Sequence, residues 1–302
     1  MPPIIRENKM FKESSITQWR QDTLSFGKNV GKAANVSFSN QNIFARDGYP
    51  INCRIFNNQL PSGSPVFIFY PGCAFLFDFF EVNSVIASRI AEKAGIKVVL
   101  VQFRLLPEHS MLTSLSDSYD AARYIALNSE LFGINPCKFF IGGWCSGANA
   151  ATFVSKLAHE TGEFTILHQI LLGGNFDLSH SFHEFDKYEA QDTTLDRKLV
   201  SHLANLFYSM DSNENPLFSP YWNRDFANFP STTLLCGEYD ALRNDTEAYF
   251  EKLKAANVSV DKIILKGQFH NSIVMTDPSL SGPNPEKQIA LIIREKLSSP
   301  KK

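Results

Sequence analysis

The chain has no cluster of lysine and arginine, no uninterrupted apolar run of membrane-spanning length and no closely spaced pair of cysteines. Each absence removes a class of function. With 29 Lys and Arg against 31 Asp and Glu the net charge is −2, so the electrostatic footprint of a nucleic-acid binder is missing. A basic patch for an anionic membrane surface is missing too. The most apolar stretch, 66–80, is short for a bilayer span and is broken by Pro71, Gly72 and Asp78. Cys53, Cys73, Cys137, Cys145 and Cys236 are odd in number and scattered, with no C-x-x-C pair, so neither a disulfide framework nor a zinc site is expected. The first 21 residues carry charges every few positions and do not read as a secretory leader. The expected setting is a reducing one, the cytoplasm.

What is present is ample apolar material, 44% of 302 residues, arranged in alternating short and long segments. Strands are expected at 65–70, 97–102, 137–141, 164–172, 232–236 and 261–265. Helices are expected at 81–94, 114–128, 146–159, 243–256 and 285–297. Strands separated by helices of ten or more residues imply parallel βαβ units with helices on both faces of the sheet. No repeat and no Gly/Ser linker divides the chain, so a single α/β domain is predicted. Residues 1 to about 33 and 175 to about 225 break the alternation and are too long for plain connections. They are expected to form a cap over the sheet edge where ligands bind in such folds.

The most informative stretch is Phe139-Phe-Ile-Gly-Gly-Trp-Cys-Ser-Gly-Ala-Asn149. A strand runs into Gly143-Trp144-Cys145-Ser146-Gly147, and a helix follows at once. This is the pattern of a strained strand-to-helix elbow, in which flanking glycines make room and the central side chain is thrust above the sheet. Cysteine stands where serine is usual. The helix that follows aims its amino-terminal dipole at Cys145, a setting that favours the anionic sulfur.

An elbow nucleophile needs an oxyanion loop upstream, then an acid, then a histidine, in that chain order. After the strand ending at Tyr70 comes Pro71-Gly-Cys-Ala-Phe75, a loop that could offer the N–H groups of Cys73 and Ala74, with the Ser146 N–H as a third donor. Asp240 follows the strand 232–236, and His270 lies in the last loop before the terminal helix. Each of Cys145, Asp240 and His270 therefore falls at the end of its own strand.

With these motifs the sequence resembles the hormone-sensitive-lipase-like branch of the α/β-hydrolase family over roughly residues 40–298. Val101-Gln-Phe-Arg-Leu-Leu-Pro-Glu-His109 is similar to that branch's Y-R-L-A-P-E-H segment, and Pro71–Phe75 to its H-G-G-G-F loop. Gly143–Asn149 is similar to G-D-S-A-G-G-N, Asn215–Pro220 to D-P-x-x-S-P, Asp240–Arg243 to D-P-L-R, and His270 to the His of H-G-F. The resemblance implies an α/β-hydrolase fold and a carboxylesterase acting on short or medium acyl esters, without cofactor or metal. Homodimers are common in that branch, so a dimer of this chain is a possible assembly.

The departures from the pattern are chemical. The elbow serine is Cys145 and the residue before it is Trp144. The oxyanion loop has Pro71 for His and Cys73 and Ala74 for two glycines, and Asn271 follows the histidine. The expected chemistry is acyl transfer to Cys145, with His270 as base, Asp240 as its orienting acid and a thioester intermediate. Substrates would be esters, thioesters or lactones, in a pocket walled by Phe75 and Trp144. Two other readings stay open: Ser146 as the nucleophile, and a degenerate hydrolase that binds a small molecule or partner without turnover.

Overall fold

Strands that are apolar at every position need cover on both faces, and the computed structural model supplies it. It describes residues 20, 30–178, 195, 215–274 and 284–298. Among these, eight strands form one sheet: β1 (Phe38–Phe44), β2 (Pro50–Phe56), β3 (Ser64–Tyr70), β4 (Lys97–Gln102), β5 (Ile134–Trp144), β6 (His168–Leu172), β7 (Ser231–Gly237) and β8 (Val260–Leu265). Their spatial order is β1-β2-β4-β3-β5-β6-β7-β8. β1 and β2 are antiparallel to each other, and β2 is antiparallel to β4. From β4 to β8 every pairing is parallel. The described helices are α1 (Phe80–Ala94), α2 (Met111–Leu127), α3 (Ser146–Thr161), α4 (Arg243–Ala255) and α5 (Pro285–Ser298).

The period-2 alternation of a strand splits each apolar run between two cores. Val66, Ile68 and Tyr70 of β3 face a layer that includes Tyr119 and Ile125 of α2, Val154 of α3 and Leu253 of α4. Phe67 and Phe69 face the other layer, with Ile86 and Ile90 of α1 and Ile289 and Ile293 of α5. Full burial of such side chains stabilises by about 1.5–3 kcal/mol each. Local signals agree with the helix ends. The Ser110 hydroxyl caps α2 by accepting the Thr113 N–H at 3.1 Å, and Gly95 closes α1 in the left-handed conformation.

The α/β-hydrolase fold expected from the sequence is the observed one, with differences at its edges. β1 and β2 were not expected as strands. β6 begins at His168 rather than 164, and β5 extends from Ile134 to Trp144. Most of the expected cap lies outside the described residues. Arg20, from the first of the two stretches, donates to the carbonyls of Leu76 and Leu106 (2.9 and 2.6 Å) and pairs with Glu108 at 2.6 Å. Arg104 pairs with Asp117 at 2.6 Å and with Asp47 at 2.7 Å. Among the described residues no helix is long and apolar enough to cross a membrane.

Candidate active site

β5 ends at Trp144 and α3 starts at Ser146, so Cys145 alone forms the turn. Its φ of 56° and ψ of −120° lie where few side-chain-bearing residues go. The flanking glycines explain how that turn closes. A Cβ on Gly143 would lie 2.6 Å from the Tyr70 carbonyl oxygen, and one on Gly147 would collide with the same atom. The Cys145 N–H donates to the Leu172 carbonyl at 2.9 Å, tying the turn to β6. Cys145 itself is half-buried and unbridged.

Asp240 follows β7 and His270 follows β8, and the parallel register brings them together. His270 Nδ1 is 2.9 Å from Asp240 Oδ1, with side chains only 3% and 2% exposed. The same carboxylate oxygen accepts the Leu242 N–H at 2.8 Å, which holds its orientation. The Cys145 sulfur is hydrogen-bonded to the imidazole, so the ring lies between sulfur and carboxylate. Burial alone would draw His270 downward. The Asp240 carboxylate and the Cys145 sulfur oppose that and win, holding the imidazole well above its ordinary value.

The 71–75 loop is held by a residue that sequence reading did not single out. Asn83 of α1, fully buried, accepts the Gly72 N–H at 3.0 Å and donates to the Gly72 and Phe79 carbonyls at 3.2 and 2.9 Å. Ala74 and Phe75 have φ of 49° and 55°, a conformation that costs a side-chain-bearing residue about 1–2 kcal/mol. Among the described residues six non-glycines have positive φ, and three of them are asparagines, which tolerate it. The other three are Ala74, Phe75 and Cys145. Backbone strain in ordinary residues is thus gathered at this site.

Of the three expected oxyanion donors, Ala74 and Ser146 offer N–H groups with no acceptor among the described residues. The Cys73 N–H differs: it donates to Ser146 Oγ at 3.0 Å. Burial pushes the Cys73 thiol up to about 12, so this second cysteine is a neutral thiol.

Phe75 and Trp144, expected to wall the pocket, are both buried, and the Trp144 ring lies 5.6 Å from that of His270. Phe75 is 1% exposed and packs on Phe103 with ring centroids 5.5 Å apart, because its left-handed backbone turns the ring into the core. Trp144 is 3% exposed. It alternates inward at the end of β5, leaving no space for a Cβ on Gly72. Its Nε1 donates to the His270 carbonyl at 3.1 Å. Cys145 packs against the apolar layer that contains Trp144, and on another side against Leu195, Ala241 and Leu242. Leu195 belongs to the 175–225 stretch expected to cap the site.

Gly173, directly after β6, is another residue that sequence reading passed over as a functional position. Its φ is 50°, and a Cβ there would lie 2.7 Å from Asp240 Oδ2 and 3.4 Å from His270 Nδ1. Its signal was weak, a Gly-Gly-Asn after a strand. Among the described residues no group of three His, Cys, Asp or Glu side chains is disposed to hold a metal ion.

Several known proteins are similar to this chain in sequence or fold. A model of the alpha/beta hydrolase fold family matches residues 67–274. Carboxylesterase NlhH of Mycobacterium tuberculosis is 28% identical over 201 residues, 65% of this chain and 63% of that protein, so the match spans less than two thirds of the relative. An arylesterase of Saccharolobus solfataricus is 24% identical over 249 residues, 82% of this chain and 78% of that protein. The fold of a hyperthermophilic esterase from Pyrobaculum calidifontis superimposes with a TM-score of 0.83 at 24% identity, covering 97% of this chain and 94% of that one. With the matched family model spanning most of the sequence and the eight-stranded sheet laid out as above, the chain belongs to the α/β-hydrolase fold family.

Proposed function

We propose that the protein is a carboxylic ester hydrolase that uses Cys145 as its nucleophile. The observation that carries this reading is the line of three groups at three strand ends: a half-exposed sulfur on a strained turn, an imidazole bonded to it, and a buried carboxylate 2.9 Å from the far ring nitrogen. An idle pocket has no reason to hold that line under strain. The relatives named as carboxylesterase and arylesterase point the same way. Ser146 is a poorer nucleophile candidate, since its hydroxyl is buried and bonded to the Cys73 N–H and toward the Pro71 carbonyl.

In the first half-reaction the Cys145 sulfur adds to the acyl carbon, and the carbonyl electron pair moves to oxygen facing the free N–H groups of Ala74 and Ser146. Collapse breaks the carbon–oxygen bond to the alcohol, and the His270 proton goes to the leaving alkoxide. In the second half-reaction water adds to the thioester carbon as His270 takes its proton. Collapse then releases the acid and returns the sulfur. Asp240 fixes the ring orientation and balances the imidazolium charge without itself carrying the proton. Leu195, Ala241 and Leu242 beside the sulfur favour short or medium acyl chains.

The competing reading, a binding protein without turnover, draws on one observation: the Cys73 N–H is already occupied by Ser146 Oγ. Hydrolysis of p-nitrophenyl acetate and butyrate by wild type, Cys145→Ala, Cys145→Ser and His270→Ala, combined with iodoacetamide labelling and mass spectrometry, separates the two. Turnover by wild type, its loss in Cys145→Ala and His270→Ala, and label on Cys145 support the thiol hydrolase. An inert wild type whose Cys145 stays unlabelled overturns it.

A further inference from the structure

We infer that the Ser146 hydroxyl is a positioning group that withholds the Cys73 N–H from the reacting oxygen, so the hole works with two donors, Ala74 and Ser146, instead of three. This rests on the hydrolase reading of the same site. Ser146 stands where the G-D-S-A-G-G-N pattern has alanine, which carries no hydroxyl. In this chain the hydroxyl is 3% exposed and lies between the elbow and the oxyanion loop. It accepts the Cys73 N–H at 3.0 Å, faces the Pro71 carbonyl at 3.3 Å and lies 3.7 Å from Cys73 Sγ.

The arrangement follows from close backbone approach. Gly147 abuts the carbonyls of Tyr70 and Pro71 so tightly that no Cβ fits there, which brings the first turn of α3 against the loop. A hydroxyl at 146 then lies within reach of the N–H at 73, and with both residues buried that N–H gains a partner that water cannot supply. The Ala74 and Ser146 N–H groups have no such partner among the described residues. Two N–H groups therefore stay available for the oxygen that becomes negative, and a third is spent on the protein's own side chain.

A donor that acts only on the developing oxyanion changes kcat more than KM, and losing one such donor costs on the order of 10²–10³-fold. Ser146→Ala and Ser146→Gly both free the Cys73 N–H, although its distance from the oxygen is not optimised. The expected result is a rise in kcat of about 5-fold or more on p-nitrophenyl butyrate in both variants, with KM changed less than about 2-fold. If the hydroxyl only fastens the loop, kcat falls or stays level in both, and the inference is overturned.

A second measurement separates this from failure of the hydrolase reading. An aryl trifluoromethyl ketone adds to the Cys145 sulfur to give a hemithioketal oxyanion, and fluorine NMR reports its affinity without turnover. Tighter ketone binding in both variants, in a protein that hydrolyses no ester, keeps the two-donor inference and removes the esterase reading. Ester turnover by wild type with no gain in kcat or ketone affinity does the reverse. No ketone addition and no turnover in any variant overturns both.

Discussion

Two buried histidines sit at opposite ends of the sheet and are driven in opposite directions. His168 opens β6, with its ring nitrogens 2.6 Å from the Ser231 hydroxyl and 2.9 Å from that of Thr233. Burial pushes it down to about 3, with a lesser contribution from Lys296. His270, at the carboxyl end of β8, is equally withdrawn from water yet is held well above its ordinary value by Asp240 and Cys145. Hydroxyls accept or donate without preference between neutral and charged imidazole, so desolvation decides at His168. A carboxylate and a sulfur favour the charged ring, so they decide at His270. One end of the sheet is built for stability, and the other holds a charge in a dry place.

Removing the charge that distinguishes the two should erase the difference. Asp240→Asn leaves a buried imidazole without its carboxylate, and His270 is then expected to titrate below the ordinary histidine value, as His168 does. Proton NMR of the ring checks this, and kcat on p-nitrophenyl acetate should fall by about 10²–10⁴-fold. An elevated His270 titration in the variant would show that Cys145 alone sustains it.

Gly173→Ala attacks the same contact from the side. The new methyl meets Asp240 Oδ2 at 2.7 Å in a left-handed backbone position. Loss of roughly 2–3 kcal/mol of stability is expected from strain plus displacement of a buried hydrogen-bonded charge, together with a fall in kcat. Urea unfolding with parallel kinetics measures both. Full activity would mean that the carboxylate tolerates displacement.

The two histidines also predict opposite pH slopes of stability. In the folded protein His168 stays neutral down to about pH 3, whereas the unfolded chain takes up its proton near pH 6.5. Stability therefore declines as pH falls from about 6.5 towards 3, by up to about 1.4 kcal/mol per pH unit. For His270 the folded state holds the proton more tightly. Its contribution is complete below about pH 6.5 and is lost as pH rises through the elevated folded value. Denaturant melts from pH 4 to 9 should show His168→Gln flattening the acid limb, and His270→Ala flattening the neutral-to-alkaline limb. Unchanged limbs would remove the contrast.

The smallest effect concerns positive φ in residues other than glycine and asparagine, which among the described residues is confined to the site end. Ala74→Gly relieves a left-handed alanine at φ 49° and should stabilise the fold by about 1 kcal/mol or less, offset by the added freedom of the unfolded chain. The shift in urea midpoint measures it. A destabilised variant would show that the alanine methyl packs productively in the loop.

How legible each part was depended on how local its cause is. The parallel strands β3, β4, β6 and β7 could be read because both faces are buried, which writes apolar runs into the sequence. β1 was missed for the opposite reason: Phe38-Ser-Asn-Gln-Asn-Ile-Phe44 is a half-exposed edge strand, with Phe38 54% and Phe44 66% exposed. Its pairing with β2 comes from tertiary contact rather than local pattern. Cys145, Asp240 and His270 could be placed at strand ends because glycine-flanked turns and the order of strands are sequence features. Asn83, Gly173 and the Ser146 hydroxyl could not. Each acts on a residue distant in sequence: Asn83 on Gly72, Gly173 on Asp240 and His270, and Ser146 on Cys73.

The sequence by itself determined the alternation of strands and helices, the elbow and the chain order of its three chemical groups, because hydrophobic period and glycine placement act over a few residues. Only the tertiary structure decided which N–H groups of the 71–75 loop and the elbow find an acceptor, where Phe75 and Trp144 are buried, and in which direction each buried histidine is shifted. Those outcomes depend on atoms from separate strands meeting in a dry place, where a single carboxylate or hydroxyl within 3 Å reverses what burial alone would do.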